Sequence, residues 1–301
     1  MSPPSDRGTK PMKPMIVLLL VLVPLALPAA EVVDLWPGQP PHSKTSDLEE
    51  YVKESWGVPC VCNVTRPTLT IHPAEGGNSG RAIVVVPGGG YEVESFVAEG
   101  RLIAEYLASQ GITAAVLKYR LPLAEASDQP HLLPLTDARR ALNLMRTLAD
   151  KYAFDRSKVG IMGFSAGGHL ATAVSVLASE DAAERPDFSA LVYPVTTLSP
   201  ENQSWLEETL FHRAMTAEER RQYSLVDQVS AATPPAFLVH AYDDNVVPIR
   251  ESELYAGALA AAGQEVEVHF FAAGGHGFGP GRREDGTDQW LPLLANWIRR
   301  Q

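Results

Sequence analysis

Three features of the chain predict an α/β fold, a mostly parallel β-sheet covered by helices on both faces. Continuous apolar runs such as Ala82-Ile83-Val84-Val85-Val86 and Ala236-Phe237-Leu238-Val239-His240-Ala241 read as strands buried on both sides. They alternate with stretches of helical period, as at 135–152, where Ala138, Ala141, Leu142, Met145 and Leu148 share a face. The 301 residues, 45% hydrophobic and 20% charged, suffice for one large domain of this kind without disulfide staples.

The elements follow in order. Arg7, Lys10 and Lys13 precede an apolar run from Ile16 to Leu27, and the small residues Ala29 and Ala30 come next. A basic, then apolar, then small-residue order predicts a signal peptide over 1–30 and a secreted or periplasmic protein. Pro24 and Pro28 interrupt the run, which is shorter than the roughly 20 residues that span a bilayer, so no stable span is expected once it is removed. An uncleaved anchor is the other reading. Residues 31–65 are Pro-rich and polar and read as an N-terminal arm lying on a domain formed by 66–301, with Trp36-Pro37-Gly38 and Trp56-Gly57 as anchor points.

Strands are expected at 68–72, 82–86, 113–119, 158–162, 189–193, 236–241 and 266–271. Helices are expected at 97–109, 135–152, from 168 onward, 249–263 and 286–300. The charged stretch 196–233 has no strand pattern but carries Trp205, Leu210 and Phe211 at helical spacing, which predicts a short helical insertion over the strand ends.

The net charge is −11, and no Lys/Arg block lies beyond the first residues, so a nucleic-acid partner is excluded and a neutral substrate favoured. The two cysteines, Cys60 and Cys62, lack the spacing of redox or zinc motifs and read as packing residues. No metal-ligand or cofactor motif stands out, so neither a metal nor a cofactor is expected. Asn63-Val64-Thr65 matches the N-glycosylation sequon.

One motif carries chemistry. Gly163-Phe164-Ser165-Ala166-Gly167 reads Gly-x-Ser-x-Gly between a strand pattern and a helix pattern. In that setting a serine sits on a sharp turn with its hydroxyl exposed. Alone the motif also fits a helix N-cap serine beside glycines, so partners decide.

Ligands in such sheets bind beyond the carboxyl ends of the strands. There the chain places Tyr242-Asp243-Asp244-Asn245-Val246-Val247-Pro248 and, later, Gly274-Gly275-His276-Gly277-Phe278-Gly279. The order serine, aspartate, histidine is that of the α/β-hydrolase triad. Ser165 is the candidate nucleophile, His276 its general base and Asp244 the acid that orients His276. Asp244 is favoured over Asp243 because Asp-x-Val-Val-Pro places it at the turn exit, leaving Asp243 as a solvated or turn-capping residue. His240 lies inside a strand and reads as core, His169 as helix packing, and His72, His131 and His212 lack a matched position.

An oxyanion needs preorganised N–H donors. Ala166, after the nucleophile, supplies one. Pro87-Gly88-Gly89-Gly90-Tyr91 follows a strand, and Gly89 and Gly90 match the other oxyanion-hole positions.

Together with Leu117-Lys118-Tyr119-Arg120-Leu121, Tyr193-Pro194-Val195 and Thr233-Pro234-Pro235, these motifs resemble the secreted acetylxylan-esterase-like branch of the α/β-hydrolases, kin to hormone-sensitive-lipase-type esterases. The likeness runs over about 50–300. It implies the α/β-hydrolase fold and a Ser-His-Asp carboxylesterase that removes short acyl groups, typically acetyl, from plant polysaccharide or small esters. A general short-chain carboxylesterase, a feruloyl esterase and, further off, a non-catalytic binding protein of the same fold are the alternatives. Residues 196–233 depart from the pattern, which leaves the substrate the least secure part of the transfer.

Overall fold

The computed structural model of the chain describes residues 1–2 and 30–301; the signal segment expected over 1–30 lies almost wholly outside them. Among the described residues the strands are β1 (Glu31–Asp34), β2 (Tyr51–Ser55), β3 (Val58–Cys62), β4 (Thr68–His72), β5 (Ala82–Val86), β6 (Thr113–Lys118), β7 (Val159–Phe164), β8 (Ser189–Val192), β9 (Ala236–Ala241) and β10 (Val266–Phe271). The α-helices are α1 (Leu102–Ser109), α2 (Leu132–Thr147), α3 (Ala149–Tyr152), α4 (Ser165–Val176), α5 (Pro200–Leu206), α6 (Ala217–Tyr223), α7 (Arg250–Ala261) and α8 (Trp290–Ile298).

Eight strands form one sheet in the order β1-β4-β6-β5-β7-β8-β9-β10. From β6 to β10 every pairing is parallel, and β1 and β4 add antiparallel at one edge. The alternation of side chains along each strand sorts the core into two layers. Val84, Val86, Leu117 and Ile161 pack with Ala141 and Leu142 of α2, Leu170 and Val174 of α4 and Leu259 of α7. Ile83, Val85, Val116 and Met162 pack instead with Leu107 of α1 and Trp290, Leu294 and Trp297 of α8. This is the mostly parallel, doubly covered sheet that the sequence predicts. No helix among the described residues is long and apolar enough to cross a membrane.

Several elements differ from expectation. Strand β7 runs on through Gly163 and Phe164, because Gly163 pairs with Val86 and Phe164 with Val192, so the turn is confined to Ser165. The helix expected at 135–152 begins at Leu132, breaks at Leu148 and ends where Ala153 turns left-handed at φ +57°. The helix expected at 97–109 opens with a π-helical turn, Val97–Arg101.

The segment 31–65 does more than lie on the domain. Its first residues become β1, an edge strand paired with β4, and β2 and β3 form a separate hairpin. The hairpin tip is Trp56-Gly57, both with positive φ (+53° and +77°), as the tight two-residue turn requires. Trp56 is therefore not an anchor: it is 73% exposed. Cys60 and Cys62 point together into a small cluster with Val93, unbridged, as packing residues. Trp36 does anchor the arm, donating from Nε1 to Asp137 Oδ1 at 2.8 Å.

Asp137 also holds the guanidinium of Arg120 in a two-pronged ion pair, Nη2 to Oδ1 at 2.7 Å and Nε to Oδ2 at 2.8 Å, both side chains buried. Arg120 Nη1 reaches the Pro41 carbonyl and Ser43 Oγ, each at 2.7 Å. One pair thus ties the arm, the end of β6 and α2 together.

Glu94, fully buried, exchanges backbone hydrogen bonds with Val61 of the hairpin (2.8 and 2.9 Å). Neither of its carboxyl oxygens has a hydrogen-bond partner among the described residues. Burial, with the nearby charges of Glu50 and Asp137, pushes this carboxyl well above the usual range, against the pull of Lys118 and of the Tyr119 N–H nearby, which lies beyond a well-formed hydrogen bond.

Two outcomes are expected. Asp137→Ala leaves the Arg120 charge buried without its partner and should lower unfolding stability by about 3–5 kcal/mol; a denaturant midpoint unchanged from wild type would show that the pair carries no such load. Glu94 takes up a proton on folding, so its contribution weakens as pH rises from the unfolded carboxyl range, roughly 4.3, toward the raised folded value. Glu94→Gln should therefore gain stability relative to wild type as pH rises from 5 to 8, read as the difference in melting temperature; a constant difference across that range would contradict the assignment.

Candidate active site

Ser165 opens α4 with φ +50°, in the left-handed region. For a non-glycine residue this conformation costs about 1–3 kcal/mol and persists only where the surroundings hold it. Here they do. A Cβ on Gly163 would lie 2.0 Å from the Gly167 carbonyl oxygen, and one on Gly167 would lie 2.3 Å from that of Val86. Glycine at both positions lets strand, helix and the end of β5 close around the serine, which is thrust out at the strand end.

His276 stands on the loop after β10. Its Nε2 lies 2.9 Å from Ser165 Oγ and its Nδ1 2.7 Å from Asp244 Oδ2. With a carboxylate at Nδ1, that nitrogen carries the hydrogen, leaving Nε2 to accept from the serine hydroxyl. The structure brings Ser165, His276 and Asp244 together from stretches separated by 111 and 32 residues.

The Asp244 side chain is wholly buried and meets four donors. Oδ1 accepts the N–H groups of Val246 and Val247, both at 2.9 Å. Oδ2 accepts His276 Nδ1–H and, at 3.2 Å, His240 Nε2–H. Burial opposes ionisation, but the hydrogen bonds from His240 and His276, the charge of His276 and the Val247 N–H outweigh it and hold the carboxyl below the usual range. Asp244 is thus a fixed negative charge. The adjacent Asp243 is exposed and accepts the Gly275 N–H at 2.7 Å, which fastens the histidine loop.

His240 has a role that sequence reasoning missed. It is buried in β9, as expected of a core residue. Its Nδ1 accepts from Ser252 Oγ at 2.8 Å, and its Nε2–H is shared between Asp244 and the Val247 carbonyl at 2.9 Å. The available signal was its place near the carboxyl end of a strand, four residues before Asp244.

The glycine loop after β5 lies against the nucleophile: a Cβ on Gly88 would come 3.1 Å from Cβ of Ser165. The Gly88 N–H is spent on Glu99 Oε2 at 2.8 Å. Gly89 accepts at its carbonyl from Glu92 and Val93 N–H, each 3.1 Å. The N–H groups of Gly89 and Gly90 have no acceptor among the described residues. The Ala166 N–H lies in the first turn of α4, where a helix offers no acceptor of its own. The Ala166 donor thus stands next to the serine in sequence, at the positive end of a twelve-residue helix, and the glycine loop that carries Gly89 and Gly90 approaches the serine at Gly88.

Residues 196–233 cover this loop. Trp205 of α5 donates from Nε1 to the Gly90 carbonyl at 3.3 Å and stacks on Tyr91, ring centroids 5.5 Å apart. Tyr91 Oη meets His169 Nδ1 at 2.8 Å, and the His169 ring stacks on Tyr223 of α6. Burial pushes His169 down to about 3, so it packs as a neutral ring. Glu251 pins the base of the insertion, accepting from the N–H groups of Thr196 and Thr197, both at 2.7 Å.

A hydroxyl in hydrogen-bond reach of an imidazole that is itself held by a carboxylate can be activated to attack a carbonyl. Comparison with known proteins points the same way. The alpha/beta hydrolase fold family matches residues 83–279. An acetylxylan esterase of Xylanibacter ruminicola is 36% identical over 226 residues, 73% of this chain and 46% of that one. An endo-1,4-beta-xylanase B of Butyrivibrio fibrisolvens is 35% identical over 204 residues, 65% of this chain and 32% of that one. The chain thus spans less than half the length of either relative. The crystal structure of an acetyl ester-xyloside bifunctional hydrolase from Caldicellulosiruptor lactoaceticus superposes with a TM-score of 0.74 at 31% identity, covering 91% of this chain and 97% of that one.

The two neighbouring aspartates should separate cleanly. Asp244→Ala should slow phosphonylation of Ser165 by a fluorophosphonate by roughly 10³-fold or more, as expected when the acid of a triad is lost. Asp243→Ala, which only loosens the loop, should cost about tenfold or less. Equal losses, or the reverse order, would reassign the acid.

Proposed function

Because the chain belongs to the alpha/beta hydrolase fold family, we propose that it is a serine carboxylic ester hydrolase removing short acyl groups, acetyl foremost, from xylan or a related plant polysaccharide. The observation that carries this reading is the continuous hydrogen-bonded line from Ser165 Oγ through His276 to Asp244. The similarity to an acetylxylan esterase and to an acetyl ester-xyloside hydrolase supports the choice of substrate.

The reaction proceeds in two acyl transfers. Ser165 Oγ attacks the ester carbonyl as His276 Nε2 takes its proton, and the carbonyl oxygen becomes an oxyanion facing the N–H groups of Ala166, Gly89 and Gly90. Collapse of this intermediate expels the sugar alkoxide, which receives the proton from His276 and leaves as the alcohol. Water then gives a proton to His276 and attacks the acyl-serine. A second collapse releases the acid and returns the proton to Ser165. Throughout, Asp244 holds the imidazole by Nδ1 and balances its positive charge.

The preference for a small acyl group is supported by the same similarity to an acetylxylan esterase and an acetyl ester-xyloside hydrolase. Export of the protein is supported by the basic, apolar and small-residue order of its first thirty residues.

Ser165→Ala should reduce turnover of p-nitrophenyl acetate by roughly 10⁶-fold with the fold retained. Wild type should release acetate from acetylated xylan and lose kcat/KM steadily from acetate to octanoate esters. Activity near wild type in the alanine variant, or an optimum at octanoate or on methyl ferulate, would overturn the nucleophile or the substrate respectively.

A further inference from the structure

The buried carboxyl of Glu99 joins the two halves of the site. It sits on the π-helical turn Val97–Arg101, an irregularity common at functional sites. One oxygen, Oε2, accepts the Gly88 N–H at 2.8 Å; the other, Oε1, accepts the hydroxyl of Tyr193 at 2.7 Å. Tyr193 Oη in turn accepts the Gly279 N–H at 3.2 Å. Gly88 opens the glycine loop whose next two N–H groups are the oxyanion donors, and Gly279 lies three residues after His276. An unbroken chain of hydrogen bonds therefore runs from one loop to the other behind the reacting atoms.

The geometry of Tyr193 marks it further. It is fully buried and leaves β8 with φ +40°, a strained conformation for a tyrosine. Its ring centroid lies 4.8 Å from those of both His276 and Phe278. Burial raises the Glu99 carboxyl, while Tyr193, the Gly88 N–H and the charge of His276 pull it down. The charge of Glu99 in turn raises the Cys60 thiol and the Tyr119 hydroxyl. No step of acyl transfer uses either residue.

We infer that Glu99 and Tyr193 are positioning residues, a strut that sets the glycine loop at a fixed distance from the histidine loop so that the Gly89 and Gly90 donors and His276 address the same substrate atom group. Neither touches substrate. The strut acts on the transition state, where the oxyanion forms, and leaves ester binding almost unchanged. This rests on the ester-hydrolase reading above.

Tyr193→Phe is the primary test, because it deletes one oxygen and keeps the ring packed on His276 and Phe278. It should lower kcat about tenfold or more, with KM within about twofold. Glu99→Gln, which presents an amide where Tyr193 needs an acceptor, should act in the same direction. The double variant should be little worse than the poorer single one, as expected of two parts of one device. Independently of catalysis, amide exchange at Gly88 should quicken in a folded Glu99→Leu protein, which offers that N–H no acceptor, and at Gly279 in the Tyr193→Phe protein. Wild-type kcat in both folded single variants, losses that multiply in the double, a change confined to KM, or unaltered exchange at both amides would overturn the strut. A wild-type protein inert toward all esters would instead defeat the ester-hydrolase reading, and the exchange measurement would still decide the strut.

Discussion

Everything in the site is referred to the turn at Ser165. A single residue in the left-handed region, φ +50°, joins the central strand β7 to α4 without any intervening loop. The conformation is unfavourable by itself and is imposed by packing from three sides: the Gly167 carbonyl, the Val86 carbonyl and the Gly88 backbone all lie within contact of the elbow. Its consequence is that the hydroxyl and the first free N–H of the helix emerge at one point. Backbone geometry therefore fixes where the Ser165 Cβ and the Ala166 N–H stand, and the serine's χ1 alone aims the hydroxyl toward His276.

Around that point charge is distributed unevenly between buried carboxyls. Asp244 is surrounded by four donors and remains ionised, so it can stabilise charge on His276. Glu99, buried with two donors, is raised by its burial, which those donors and the charge of His276 do not outweigh. Glu94 has no hydrogen-bond partner for its carboxyl among the described residues and is raised further. In all three, burial raises the carboxyl, and hydrogen bonds and positive charge nearby lower it; only at Asp244 do these outweigh burial. Only Asp244 has both the donors and the position to serve the histidine. His240 helps by occupying a second lone pair of the same carboxylate, which restricts the orientations open to Asp244.

The segment over the glycine loop is tied into the core. Trp205 covers the Gly90 carbonyl and stacks on Tyr91, while Tyr223 closes on His169 from the following helix. These rings belong to the same apolar cluster as α2 and α4, so the cover is an extension of the core and not a separate lid.

The local pattern of residues determined the parallel strand–helix alternation, the Gly-x-Ser-x-Gly turn, and the serine, aspartate and histidine at successive strand ends. These features are legible because burial on both faces demands continuous apolar strands, and because a tight elbow tolerates only glycine at its flanks. What the tertiary structure alone decided is whatever depends on groups meeting across long stretches of chain. The edge strand β1 and the hairpin β2–β3 are too short, and interrupted by Pro59, to announce themselves and are specified by their partners. The same is true of Trp36 finding Asp137, of His240 sharing Asp244, and of Glu99 meeting Tyr193 from 94 residues away. A hydrogen bond needs a donor and an acceptor within about 3 Å, and no linear pattern encodes that distance until the sheet has brought the strand ends together.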